Sequence, residues 1–103
     1  MIELPLPDNV GQSILLEHED GSRHYYVVTD EIARARPDAP NKVLSFQRLE
    51  AKKDGRVQLR FCHFFADESE WVFVQHALYI SPGEFEDVVA EASGRGWFDI
   101  TGK

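Results

Sequence analysis

The residues with the most chemical potential sit in one stretch, RFCHFFADESEW, where Cys62 and His63 are adjacent and Asp67, Glu68 and Glu70 follow. A thiol beside an imidazole suggests a nucleophile with its base, or two ligands of a metal site completed by carboxylates or by His18, His24 and His76. The spacing argues against both. Neighbouring residues of a strand point to opposite faces, so Cys62 and His63 do not converge through their own geometry. No HxxxH or CxxC spacing provides the ligand set of a zinc site, and the acids lack the pattern and glycine of a calcium loop. Gly94-Arg95-Gly96 is too short for a dinucleotide fingerprint and follows a helical pattern instead of a strand.

The expectation is therefore no catalytic, cofactor-binding or metal-ligating residue. Cys62 reads as a small buried hydrophobe. His63 shares a strand face with Val57, Leu59, Phe61 and Phe65, and His76 with Val72, Val74, Leu78 and Ile80, so both read as hydrogen-bonded core or interface histidines. General acid–base work would require a cleft, which no motif indicates. His18 and His24 flank a turn and read as a solvent-exposed pair, and the acids as a solvated loop.

The elements that must hold these residues are mostly strands. SILLEHEDGSRHYYVVT reads as a hairpin around Asp20-Gly21, and KVLSFQRLEA with RVQLRFCHFF as a second around Asp54-Gly55, because Asp-Gly accepts the positive φ of a tight bend. DEIARARPDAPN, with Pro37 and Pro40, reads as a loop with a short helical piece capped by Asp30. WVFVQHALYI is apolar at nearly every position and reads as a central strand buried on both faces. SPGEFEDVVAEASG opens with Ser81 as N-cap, Pro82 at the first helical position and Glu84 closing a capping box. Phe85, Val88, Val89 and Ala92 then form one apolar stripe, with Gly94 as the left-handed stop and WFDI as a short edge strand. The fold class expected is α+β: one domain over residues 1–103, an antiparallel sheet of about five to six strands built from hairpins, with a C-terminal amphipathic helix on one face.

A net charge of −7 opposes general attraction to phosphate backbones, yet charge is uneven. Lys42, Arg48, Lys52, Lys53, Arg56 and Arg60 crowd residues 42–60, whereas residues 61–94 hold seven acids and no Lys or Arg, a polarity able to orient a partner or a second copy. A single Cys allows no internal disulfide, and MIELPLPDNV has neither the basic start nor the apolar run of a signal peptide, so a cytoplasmic setting is expected. No apolar run suits a membrane span.

From about Lys42 to Ala92, two strands around a basic Asp-Gly turn, a further strand and ISPGEFEDVV opening the closing helix resemble the single-stranded-DNA-binding domain of the positive cofactor four (transcriptional coactivator) family. The resemblance implies a homodimer whose strands form a nucleic-acid surface. Lys52, Lys53, Arg56 and Arg60 would make basic contacts, with Arg48 in the same hairpin, and Phe46, Phe61 and Phe64 would stack on bases. From the residues themselves, apolar supply on both faces of the 57–80 strands exceeds what one small helix covers. That favours a non-enzymatic module that self-associates, as a homodimer, or binds another protein, with single-stranded nucleic-acid binding as the alternative.

Overall fold

The computed structural model describes residues 5–37, 39–74 and 78–98. Among these residues, five antiparallel strands follow one another in space as in sequence: β1 (Ser13–Glu17), β2 (Arg23–Arg36), β3 (Ala39–Ala51), β4 (Val57–Asp67) and β5 (Glu70–Val74), before α1 (Pro82–Gly94). This is the α+β meander that the hairpin pattern predicts. Both Asp-Gly pairs lie in wider loops, 18–22 and 52–56. Gly21 and Gly55 take φ of 84° and 76°, and Asp20 and Asp54 accept hydrogen bonds from the backbone N–H groups of Ser22 and Arg56 at 2.9 and 3.0 Å.

Several expectations are overturned. Most of DEIARARPDAPN is strand instead of a loop with a helical piece: β2 runs to Arg36 and pairs with β3 through Arg36 and Ala39, Pro37 is a turn residue beyond the strand end, and Asp38 lies outside the described residues. A bulge between Val28 and Asp30 shifts the register, so the alternation before it is out of phase with that after it. Asp30 is not a cap; it accepts from the Trp97 indole and from Arg95, each at 2.9 Å. The described part of WVFVQHALYI is not a central strand. Among the described residues β5, ending at Val74, is the edge of the sheet, residues 75–77 lie outside the described residues, and Leu78 and Ile80, which are not strand, pack against the core beneath the helix. Finally, the left-handed residue after α1 is Gly96, at φ 83°, and Gly94 is still helical. The N–H groups of Gly96 and Trp97 bond back to Ser93 and Ala92, closing the helix end in a Schellman arrangement. Trp97 and Phe98 pack into the core without forming a strand, and the rest of WFDI lies outside the described residues.

The helix is where capping predicts it: Ser81 Oγ accepts from the Glu84 backbone, and Glu84 accepts from the Ser81 backbone. Val88 and Ala92 bury against Ile32, Leu44 and Phe46. The acids flanking that stripe meet arginines of β2, Arg36 with Glu84 at 2.7 Å and Arg34 with Asp87 at 3.0 Å and with Glu91, while Arg95 holds Asp30. These pairs run in reverse order along β2, so the helix lies antiparallel to it. Arg34 and Arg36 follow buried Ile32 on the same face of β2, so charged side chains occupy inward-facing strand positions and make that stretch of β2 look like a loop. On the sheet's other face, Tyr26, Val28, Leu49 and Ala51 form a second cluster closed by Ile14 and Leu16 of β1.

Candidate functional site

The strand register separates the residues that drew attention first. Cys62 pairs with Ser45 on the face away from α1, while His63 pairs with Leu44 and Val74 on the helix face. Cys62 is buried, and burial pushes its thiol up from the ordinary value, reducing thiolate character. His76 lies outside the described residues. His18 and His24 are half-buried instead of solvent-exposed, their rings edge-on at 4.8 Å, with His18 Nε2 3.0 Å from Tyr26 Oη and His24 Nε2 3.1 Å from Ser22 Oγ. β1 and β2 pair in register, which brings the two rings together across the loop. Asp67, Glu68 and Glu70 stand exposed at the β4–β5 turn. Among the described residues no group of three His, Cys, Asp or Glu side chains is placed to hold a metal ion, and no helix is long and apolar enough to cross a membrane.

The basic hairpin is dispersed in the same way. Phe46 is buried beneath α1, stacked on Phe61 at 4.0 Å. Phe64 is buried on the opposite face, edge-on to Phe73 at 5.7 Å. Arg48 lies on the helix face and donates to Thr29 and Glu50. Lys52, Lys53 and Arg56 are exposed in loop 52–56, with Lys52 over the Tyr25 ring, and Arg60 points to the face away from α1. The seven residues do not form one surface.

Arg60 belongs to a different constellation, built by register. Glu31 of β2 pairs with Gln47 of β3, which pairs with Arg60 of β4, so a carboxylate, an amide and a guanidinium stand in one row across the three middle strands. Gln47 and Ser45 are fully buried. Gln47 donates to Glu31 Oε2 at 2.9 Å and accepts from Arg60 Nε and Nη2 at 3.0 and 2.8 Å, joining the two charges through one amide. Glu31 also accepts from Ser45 Oγ and, at 2.8 Å, from both the backbone and side-chain nitrogens of Asn9 in the lead-in segment. Burial raises the Glu31 pKa, but the hydrogen bonds from Ser45, Gln47 and Asn9 outweigh it and hold the carboxyl below its usual value. At the other end, Arg60 lies over the Phe73 ring at 5.4 Å, beside a cavity of about 250 Å³ lined by Asn9, Gln12, Ile14, Val28, Arg60, Phe64 and Phe73.

Sequence reading passed over Glu31 and Gln47. The signal was available: on β3 the positions Val43, Ser45, Gln47, Leu49 and Ala51 share one face, and two polar residues interrupt an apolar run there. Their partners required the bulged register of β2.

The helix face carries a second feature. α1 covers the β2–β3 side and leaves Val57, Leu59 and Phe65 of β4 exposed at 40%, 40% and 37%, with Phe85 of α1 at 47%. The ends of that strand are oppositely charged, with Lys52, Lys53 and Arg56 before Val57 and Asp67, Glu68 and Glu70 after Phe65. None of these six forms an ion pair among the described residues. Against protein-family models, curated proteins and solved structures alike, the chain finds no match.

Proposed function

We propose that this chain is a non-enzymatic binding module that associates with a second copy of itself through the uncovered side of β4. The observation that carries the reading is the exposed apolar strip of Val57, Leu59 and Phe65, basic at one end and acidic at the other. A two-fold axis through the middle of such a strip apposes two copies antiparallel. Apolar side chains then meet apolar side chains, and loop 52–56 of each copy meets the β4–β5 turn of the other. At about 3.3 Å per residue, β4 is roughly 36 Å long, so the two charged ends are far enough apart to act separately. The acidic total is no obstacle, because the opposing charges are local and meet across a short gap.

Sedimentation at tens of micromolar, as an order of magnitude, tests the proposal against ordinary dimer affinities. A dimer is expected for the wild type, weakened by rising salt, and a monomer for Leu59→Glu. The double reversal Lys52→Glu/Lys53→Glu should weaken the dimer, and adding Glu68→Lys/Glu70→Lys should restore it. A monomeric wild type refutes the proposal, and so does a dimer indifferent to the charge reversals.

A second reading, binding of single-stranded nucleic acid, draws on the three exposed cations of loop 52–56 and on the resemblance of residues 42–92 to the positive cofactor four domain. It requires binding that falls steeply with salt and is lost with Lys52→Glu/Lys53→Glu, whatever the state of Leu59.

A further inference from the structure

The geometry points to the Arg60 cavity, on the face away from the proposed dimer strip, as a binding site for a small monocarboxylate with an aryl or branched alkyl body. Arg60 is held in place by Gln47, whose Oε1 takes both its Nε and Nη2. Among the described residues it has no carboxylate within ion-pair distance. Glu31 is engaged by Asn9, Ser45 and Gln47, so it does not close on Arg60 directly. A guanidinium fixed on one side and flanked by a ring is prepared to receive a planar carboxylate.

The rest of the lining sets the body of the ligand. Ile14, Val28, Phe64 and Phe73 form apolar walls, with Phe64 and Phe73 at 74° to one another, and Asn9 and Gln12 add amides at the rim. About 250 Å³ lies just below the usual range for drug-sized ligands and suits a smaller molecule. A phosphate dianion fits less well, since one cation faces it and the chain carries a net charge of −7. This inference is independent of self-association, because the cavity and the β4 strip lie on opposite sides of the sheet.

The probe is phenylacetate, titrated into the full chain and followed by amide chemical shifts, with 2-phenylethanol as the uncharged analogue. A ligand of about ten non-hydrogen atoms is expected to saturate in the millimolar range, with shifts centred on Ile14 and Val28. The alcohol should bind about tenfold more weakly, the loss of one charge-assisted contact. Arg60→Met keeps the apolar stem and should weaken phenylacetate by about the same factor. If that variant does not fold, Gln12→Glu serves, since Gln12 is exposed and a carboxylate at the rim repels the probe while leaving the row intact. No saturable shift, equal binding of the alcohol, or unchanged affinity in a folded Gln12→Glu variant would each overturn the inference.

Discussion

Replacing Gln47 by Leu is the sharpest test of the row that joins β2, β3 and β4. The side chain is fully buried and makes three hydrogen bonds, each to a charged partner, and Leu matches it closely in size without replacing any of them. Hydrogen bonds to charged groups contribute about 1.5–3 kcal/mol each, so at the low end the three together contribute about 4.5 kcal/mol. Burying a Leu side chain in place of the amide returns about 1.5 kcal/mol. Glu31 keeps Asn9 and Ser45, and half-buried Arg60 recovers some water, so the net loss is about 3 kcal/mol. That is a large share of the roughly 5–15 kcal/mol typical of a domain, and it should lower Tm by about 12–24 °C. The assay is urea unfolding with an unchanged m-value, so that the midpoint shift reports stability. Ser45→Ala is the internal standard, expected to cost about 1 kcal/mol because it removes one of several donors on Glu31. If Gln47→Leu lies within about 0.5 kcal/mol of wild type, or costs less than Ser45→Ala, the amide does not link the two charges in the manner argued.

Other outcomes follow from the same geometry. Because Glu31 titrates below its unfolded value, its contribution is fully present above an ordinary Glu pKa of about 4.3 and is lost as pH falls through the folded value. Urea midpoints should therefore show Glu31→Gln destabilised at neutral pH and converging on wild type in acid; a gap independent of pH contradicts this. Gly96→Ala should cost about 1 kcal/mol, since φ is 83°, whereas Gly94→Ala, inside α1 with nothing within 4 Å of the added carbon, should stabilise by about 0.5–1 kcal/mol. Thermal melts giving both changes the same sign would be inconsistent with the helix end described. Ser81→Ala removes one arm of the capping box and should cost about 1 kcal/mol in the same melts. Cys62 should react with a thiol reagent only as fast as the chain opens, and rapid labelling of the folded protein would contradict its burial.

What the chain specifies locally is legible without coordinates. Ser81, Pro82 and Glu84 start the helix through bonds among residues a few positions apart, the Asp-Gly pairs carry their own bend geometry, and Cys62 and His63 must diverge on any strand. Tertiary structure decided the rest. β2 extends through Asp30 to Arg36 because acids more than 40 residues away in α1 receive Arg34 and Arg36, and Asp30 finds Trp97 and Arg95. No local propensity encodes those partners. Trp71–Val74, which open the apolar run after Glu70, read as central but lie at the edge of the described sheet, because strand position depends on which hairpin closes the sheet. Arg60 reads as an exposed cation among cations until the pairing of three strands, one of them bulged, sets it beside Gln47 and, through that amide, Glu31. Side-chain period fixes which residues share a face, but only the register between strands fixes which of them touch.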